Sequence, residues 1–369
     1  MSRPSLDLEA CRRRQSRLRA AMEALGVELA VLTRMESIQW LTGARVGPLF
    51  QPVASIDSAG RVTLVLPSRR IETPAAADEV APYEEKWLST MRDASDQRIA
   101  SIAAWRAACP DMPRRVGCEF SSACKHLLAA ADGEWADLDA TMFQLRRRKD
   151  ADELAILAAA NEANRAMYQH AREAIEPGIN EIDLYAQLHA LAVKTLGEPL
   201  TYFGQDFRSA ARGGAPRDRT AQAGELYILD LGVGLNGYHT DNARTIAVGG
   251  EPTDAQQRAW KHIAAAFPIV EANVKPGASC RALFEQVRQQ LAEAAPWAFN
   301  HHLGHGVGLA PHEGPHLNPN WDDTFQPGDY IAVEPGLYHE ELNAGIRLEQ
   351  NYVVTDSGAE LLTDWPLGL

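Results

Sequence analysis

Long apolar runs are absent from this sequence, and no stretch approaches the roughly 18–20 apolar residues that a membrane span requires. The segment at residues 1–15 also has no apolar core, so we expect no secretory signal. Both observations predict a protein without membrane contact, which we expect in the cytoplasm.

Cysteine is sparse as well. The five cysteines are odd in number and scattered along the chain, at Cys11, Cys109, Cys118, Cys124 and Cys280. A disulfide framework would need paired cysteines, and the spacing of Cys118 and Cys124 does not match the common zinc patterns. We therefore expect reduced thiols, as in proteins of a reducing compartment.

An excess of positive charge is also missing. Lys and Arg number 36 against 49 Asp and Glu, which leaves a formal net charge of −13 and argues against a nucleic-acid partner. The basic run Arg146–Lys149 precedes an amphipathic helix, and we interpret it as a solvated junction rather than as a nucleic-acid patch.

What the sequence does contain is enough apolar residues, 46% of 369, for two globular domains. Alternating strand and helix signals predict an α/β domain over residues 1–143. Its expected elements include helices over residues 7–26 and 87–108 and strands over 61–66 and 115–119. It shows no cluster of His, Asp and Glu with ligand spacing, so we assign it no chemistry.

Residues 144–369 have a different organisation. Helix pairs are predicted over residues 150–196 and 255–294, and each pair lies near a β-rich segment. This repetition indicates an internally duplicated α+β domain.

The segment Tyr227–Val248, YILDLGVGLNGYHTDNARTIAV, is predicted to form a β-hairpin. Its central Asn236-Gly237 is the strongest short hairpin signal, because both residue types tolerate the positive φ of a type I′ turn. With this turn Gly232 faces Asp241, and Asp230 lies diagonal to Asp241 on the same face, roughly 7–8 Å away. Two carboxylates converging in this way would repel each other unless a cation lay between them, so we interpret the hairpin as half of a metal site.

Further candidate ligands follow the hairpin. His305 stands between two glycines in the histidine-rich segment HHLGHGVGLAPHEGPH, where packing alone does not explain five histidines. Glu334 ends one apolar strand and Glu349 lies on another, and glutamates in such places are seldom buried unless they pair or bind metal.

Together these residues form a candidate set of five metal ligands: Asp230, Asp241, His305, Glu334 and Glu349. Their four carboxylates carry a charge that two divalent cations would neutralise. Oxygen ligands with one imidazole and no thiolate suit Mn²⁺ best, with Co²⁺, Zn²⁺ or Fe²⁺ as alternatives.

These residues stand in motifs that resemble those of the pita-bread metallopeptidases, which include methionine aminopeptidase, aminopeptidase P, prolidase and creatinase. The motifs are D-x-G…G-Y…D-x-x-R-T at 230–245, G-H-G-V-G-L…H-E-x-P at 304–315, E-P-G at 334–336 and G-I-R-L-E at 345–349. The resemblance covers nearly the whole chain and is to the creatinase/prolidase branch. It implies an N-terminal creatinase/prolidase-like domain over residues 1–143 and a pita-bread catalytic domain over 144–369.

The resemblance also implies roles for individual residues. Asp241 and Glu349 match ligands that bridge two metal ions, and Glu334 matches the residue usually assigned as general base on the bridging hydroxide. His301 and His312 match histidines that contact the substrate and the developing oxyanion. Arg347 matches the arginine beside the last ligand.

Two positions depart from the family pattern. Gly213 stands where these peptidases usually have a substrate-contacting histidine, and His316 stands where prolidases often have an arginine that holds the dipeptide carboxylate. A neutral histidine makes a weaker contact than a bidentate arginine, so we expect Ala-Pro-Ala to be at least as good a substrate as Ala-Pro. Arg212 would restore the dipeptide preference if it took the carboxylate instead.

Three functions follow from this reading. The first is a binuclear metallopeptidase that removes the residue before proline from short peptides. The second is hydrolysis of a small non-peptide C–N bond, as in creatine-like or cyclic amidine compounds, which the altered substrate positions motivate. The third is a non-catalytic binding module, against which the intact ligand set argues. The resemblance further implies a homodimer paired through the N-terminal domain.

Overall fold

The computed structural model describes residues 4–85 and 95–369, which divide into two compact units. One unit is Ser5–Arg146, and Arg147–Leu369 make up the bulk of the other. The division falls inside the basic run, slightly beyond the predicted boundary at residues 143 and 144.

The N-terminal unit is an α/β domain with one mixed sheet of six strands in the order β4-β3-β2-β1-β5-β6. Its strands are β1 (Leu29–Leu32), β2 (Val53–Asp57), β3 (Val62–Pro67), β4 (Glu79–Tyr83), β5 (Arg115–Cys118) and β6 (Glu134–Asp137). Its helices are α1 (Leu8–Leu25), α2 (Met35–Thr42), α3 (Ser95–Ala108), α4 (Lys125–Leu128) and α5 (Asp139–Arg147).

The predicted elements of this unit are confirmed, with one difference in extent. Helix α1 ends at Gly26, which adopts a positive φ of 66° as a C-cap requires. The predicted helix over 87–108 is present from Ser95, and its first part lies outside the described residues. The strands β2, β4 and β6 were not predicted, since each is short and β4 and β6 have exposed residues that hide their pattern.

The C-terminal unit repeats one arrangement, in which helices precede antiparallel strands. Its helices are α6 (Ala151–Ala174), α7 (Glu181–Leu196), α8 (Asp254–Ala264), α9 (Ala266–Asn273) and α10 (Cys280–Ala292). The first group of strands comprises β7 (Phe203–Ser209), β8 (Leu226–Leu235), β9 (Tyr238–His239) and β10 (Asn242–Ala247). The second comprises β11 (Gly304–Gly306), β12 (Glu313–Leu317), β13 (Tyr330–Val333), β14 (Gly336–Leu337), β15 (Ile346–Arg347), β16 (Gln350–Thr355) and β17 (Gly358–Leu361).

Two antiparallel sheets carry the candidate ligands. In the first, β8 lies between β10 and β7, and in the second the order is β12-β11-β13-β16-β17. Every residue of β8 is buried, and α6 packs against it. Because β8 is covered in this way, the carboxylate of Asp230 on it is held away from bulk water.

The basic run is not the solvated junction that we predicted. Arg146, Arg147 and Lys149 are all buried, and only Arg148 of this run is exposed. The prediction was wrong because the carboxylates that accompany Arg147 and Lys149 lie far along the chain, at Asp329 and Glu313. No helix among the described residues is long and apolar enough to cross a membrane.

Candidate metal centre

The hairpin brings its two aspartates together in the predicted register. Asn236 and Gly237 have φ angles of 48° and 78°, and Leu235 pairs with Tyr238. The same register continues to the pair of Asp230 with Ala243, so Asp230 is diagonal to Asp241 as predicted. The second strand is interrupted between β9 and β10, and Asp241 lies in this break.

The other three predicted ligands come from the second half of the unit. His305 is the middle residue of β11, and Glu334 directly follows β13, its antiparallel neighbour. Glu349 lies between β15 and β16, and its backbone N–H donates to the carbonyl oxygen of Ala243, the partner of Asp230. This hydrogen bond ties the last ligand to the hairpin.

The structure brings all five predicted ligands into one cluster. One carboxylate oxygen from each of Asp230, Glu334 and Glu349 lies within 4.8 Å of the others. His305 Nε2 lies 3.6 Å from both Asp241 Oδ2 and Glu334 Oε1. All five residues are buried.

The guanidinium group of Arg347 contacts the carboxylates of this cluster. Its Nη2 donates to Asp230 Oδ2 at 2.9 Å and to Asp206, and its Nη1 donates to the Tyr338 hydroxyl at 3.4 Å. Asp206 was missed in the sequence, although β7 places it directly opposite Asp230. Asp206 could have been identified if β7 had been predicted as the strand next to β8.

Charge in the cluster is unbalanced without a cation. The five carboxylates of Asp206, Asp230, Asp241, Glu334 and Glu349 face one guanidinium, which leaves a formal charge of −4. Burial and then the neighbouring carboxylates raise the pKa values of Asp241 and Glu349 well above their usual range. The Oδ1 atoms of Asp230 and Asp241 are buried and have no hydrogen-bond partner in the described structure. Orphaned oxygens and excess negative charge fit a site for divalent cations.

His305 presents the form of imidazole that a metal ion needs. Its Nδ1 lies 2.9 Å from the carbonyl oxygen of Gly306, to which an Nδ1–H donates, so the Nε2 lone pair faces the carboxylates. Burial lowers the pKa of His305 to about 4, which keeps the ring neutral near pH 7.

Three further histidines surround the cluster. His301 contacts the His302 carbonyl through Nδ1 at 2.7 Å and the Tyr338 hydroxyl through Nε2 at 3.0 Å. The ring of His312 stacks on that of His305 with ring centroids 3.7 Å apart. His302 Nε2 lies 2.7 Å from Glu334 Oε1, a contact that the sequence motifs do not indicate. Its signal was only that it belongs to the histidine-rich segment.

The predicted substrate residues lie in two different environments. A cavity of about 420 Å³ opens onto the cluster, and Arg212 lines it. Arg212 donates to Asn300 Oδ1 at 2.5 Å, and its guanidinium lies 4.1 Å from the centroid of the Tyr338 ring. His316 lines an adjoining cavity of about 460 Å³, and its Nδ1 lies 3.6 Å from Asp323 Oδ2.

The glycine at position 213 has a steric reason. Its φ is 143°, and a Cβ there would collide with the Asp206 carboxylate. That carboxylate accepts a hydrogen bond from the Gly214 N–H at 2.5 Å and contacts Arg347. A histidine at position 213 would displace Asp206 and break its contact with Arg347. Glycine at this position, where the family usually has histidine, is therefore compatible with the Asp206–Arg347 contact.

Comparison with known proteins agrees with this geometry. The model of metallopeptidase family M24 matches residues 155–356, and that of the creatinase/prolidase N-terminal domain matches residues 14–147. The first match contains all five predicted ligands, and the second covers most of the N-terminal unit.

Individual relatives extend the likeness over the whole chain. The uncharacterized peptidase YqhT of Bacillus subtilis is 25% identical over 360 residues, which cover 95% of this chain and 97% of that protein. An Xaa-Pro dipeptidase of Pyrococcus furiosus is 31% identical over 234 residues, 62% of this chain and 67% of that protein. The solved structure of an Xaa-Pro dipeptidase from Bacillus anthracis has a TM-score of 0.82 at 25% identity, covering 97% of this chain and 99% of that one.

The predicted pita-bread fold with a creatinase/prolidase N-terminal domain is therefore confirmed, as is the prediction of a metal-dependent peptidase. This chain belongs to metallopeptidase family M24.

Proposed function

We propose that this protein is an Xaa-Pro exopeptidase, which removes the N-terminal residue before proline from short peptides. The observation that carries the proposal is the buried set of four carboxylates and one neutral imidazole, with the single guanidinium of Arg347 among them. The names of its relatives from Pyrococcus furiosus and Bacillus anthracis supply the substrate class, since both are Xaa-Pro dipeptidases.

Two divalent cations would be held by Asp230, Asp241, His305, Glu334 and Glu349. Their oxygen-rich donor set suits Mn²⁺ best, with Co²⁺, Zn²⁺ or Fe²⁺ as alternatives. When bound, the cations would supply Lewis acidity at the scissile carbonyl and a nucleophile at neutral pH.

Glu334 is the proposed proton carrier. Its Oε1 lies 2.7 Å from His302 Nε2, and its Oε2 lies 3.9 Å from Arg347 Nε, so two side chains flank the carboxylate. His312 is the proposed donor to the developing oxyanion, because burial lowers its pKa and the neutral ring keeps an N–H for this purpose. His301 orients Tyr338 against Arg347 beside the place of the substrate.

We propose Arg212 as the residue that anchors the carboxylate of a dipeptide substrate. Two arginines line the cluster's cavity. Arg347 is paired with Asp206 and Asp230, whereas the described contacts of Arg212 include no carboxylate. His316, the other candidate, faces the chain's own Asp323. These contacts favour dipeptides, the alternative to the tripeptide preference that His316 alone suggested.

The test is a substrate panel with Mn²⁺-loaded enzyme. We expect cleavage of Ala-Pro but not of Ala-Ala, and no release of urea from creatine. Cleavage of creatine, or no hydrolysis of any proline peptide at full metal content, would overturn the proposed function.

The role of Arg212 is tested by comparing the hydrolysis of Ala-Pro with that of Ala-Pro-amide. A charge-assisted contact is worth about 1.5–3 kcal/mol, so we expect Arg212→Ala to reduce kcat/KM for Ala-Pro about tenfold to hundredfold. The amide lacks the charge and should lose little. Arg165→Ala, which removes an exposed arginine of α6, is the matched control. Equal losses on both substrates would show that the carboxylate is held elsewhere.

We also propose that the protein is a cytoplasmic homodimer. The resemblance implies pairing through the N-terminal domain, and the odd number and scattered positions of the five cysteines support a reducing compartment. Sedimentation equilibrium should give twice the chain mass, and a monomer at all concentrations would refute the dimer.

A further inference from the structure

His302 lies inside the metal centre, although it is not one of the five predicted ligands. Its Nε2 is 2.7 Å from Glu334 Oε1. One ring nitrogen from each of His302, His305 and His312 lies within 4.8 Å of the others. An imidazole in this place is a possible donor to the same ion as Glu334 and His305.

The spacing between donor atoms is that of ligands around one ion. Metal–ligand bonds of about 2.0–2.2 Å, at angles between about 90° and 110°, place neighbouring donors roughly 2.8–3.6 Å apart. His305 Nε2 is 3.6 Å from Asp241 Oδ2 and from Glu334 Oε1, at the long end of this interval. The His302–Glu334 separation of 2.7 Å lies just below its short end.

Ring orientation distinguishes His302 from its neighbour His312. The rings of His305 and His312 are stacked, with an angle of 13° between their planes. Because nitrogen lone pairs lie in the ring plane, the lone pairs of stacked rings run in parallel planes and do not converge on one point between them. The ring of His302 makes an angle of 77° with that of His305, which allows their lone pairs to converge.

We infer that His302 is a sixth protein ligand of the metal centre, on the side of His305 and Glu334, and that it raises the affinity for Co²⁺ and Zn²⁺ relative to Mn²⁺. Imidazole suits Zn²⁺ and the later first-row ions, whereas carboxylates suit Mn²⁺. A second imidazole therefore raises the affinity for Co²⁺ and Zn²⁺, which the carboxylates alone do not favour over Mn²⁺. The inference rests on the proposed metal centre but not on the proposed peptide substrate.

The rival explanation is that His302 only holds Glu334 in place by a hydrogen bond. Such a positioning residue would affect all divalent ions alike, and a glutamine able to donate to Glu334 would replace it. A direct ligand would instead affect Co²⁺ and Zn²⁺ more than Mn²⁺, and glutamine would not restore its effect.

The experiment compares the purified full-length protein with its His302→Ala and His302→Gln variants. Affinities for Mn²⁺, Co²⁺ and Zn²⁺ are measured by competition with a chelating dye, and the Co²⁺ absorption spectrum and the ¹⁴N couplings in pulsed EPR of the Mn²⁺ protein report the imidazoles. The side chain of His302 is 38% exposed, so both variants should fold, which circular dichroism checks. The partly exposed His170, which contacts Gln187, supplies the matched control His170→Ala.

We expect both His302 variants to lose about tenfold to hundredfold in Co²⁺ and Zn²⁺ affinity, with a smaller loss for Mn²⁺, a changed Co²⁺ spectrum and the loss of one class of ¹⁴N coupling. Equal losses for all three ions that glutamine rescues would overturn the inference in favour of positioning. Unchanged affinities and spectra would also overturn it. Failure of the wild-type protein to bind any of these ions would instead refute the metal centre of the proposed function.

Discussion

The metal centre and the cluster around Arg147 are both buried in the C-terminal unit, yet their charges are arranged in opposite ways. Arg147 binds Asp329 through two hydrogen bonds of 3.0 and 2.7 Å, and Lys149 Nζ lies 3.1 Å from Glu313. Two cations there meet two buried carboxylates, and the less buried Asp323 lies 4.0 Å from Arg147. In the metal centre five carboxylates meet one guanidinium.

This difference separates a structural role from a binding role. A buried ion pair that is fully hydrogen-bonded holds its elements in place and leaves no charge for a ligand. An excess of buried carboxylates raises the free energy of the folded chain until a cation binds, so its retention points to metal. Charge balance, rather than burial, is the informative quantity.

The largest effect is expected for Asp241→Ala. The variant loses a donor that lies 3.6 Å from His305 Nε2, so metal content and hydrolysis of Ala-Pro should fall to background together. Elemental analysis after gel filtration and a rate assay check this. Full metal stoichiometry in the variant would remove Asp241 from the ligand set.

A substitution in the charge-balanced cluster around Arg147 should change the stability of the protein and not its metal content. Asp329→Asn removes the charge of the carboxylate that Arg147 binds through two hydrogen bonds, and breaking such a buried pair costs about 3–5 kcal/mol in the free energy of unfolding. Urea denaturation measures the loss, with metal content per folded protein as the control. A change in metal content without a change in stability would contradict the comparison.

The buried carboxylate of Glu181 lies outside both clusters and allows a test of charge balance at a third place in the unit. Burial alone would raise the pKa of Glu181, but hydrogen bonds from Arg217 and Ser209 lower it. A lowered pKa adds stability above the unfolded value of about 4.3, and this stability is lost as the pH falls through the folded value. Glu181→Gln should therefore cost about 2–3 kcal/mol at pH 7 and progressively less below about pH 4. Denaturation at several pH values checks this, and a constant cost would contradict it.

The last prediction concerns the stability of the metal-free protein and the carboxyl group of Asp241. Its raised pKa means that the folded state is destabilised above the unfolded value of about 3.9, and increasingly so until the pH reaches the folded value. Asp241→Asn removes this penalty, and each unit of raised pKa is worth about 1.4 kcal/mol. After EDTA treatment the variant should thus be more stable than the wild type at pH 8 and similar at pH 4. Lower stability than the wild type at pH 8 would refute the strain assigned to this centre.

Local patterns were sufficient to predict the hairpin and to select the five candidate ligands that the structure brings into one cluster. The turn at Asn236-Gly237 determines the register by counting, and the register determines which aspartates share a face. Counting residues from the turn does not predict the break in the second strand at Asp241. This break depends on the neighbouring Thr240, whose hydroxyl oxygen accepts hydrogen bonds from the Asn164 side chain of α6 and from the Val233 N–H. Short-range sequence information does not contain that helix contact.

The sequence by itself thus determined which side chains are the candidate donors of the centre, since strand periodicity and motifs select them. Only the tertiary structure decided their charge balance: Asp206 reaches Arg347 across 141 positions of the chain, and Arg147 finds Asp329 across 182. The interpretation of the basic run as solvated was wrong for the same reason. Whether a charge is exposed, paired or left for a metal depends on which distant side chain folding brings within hydrogen-bond distance, and periodicity along the chain carries no information about that partner.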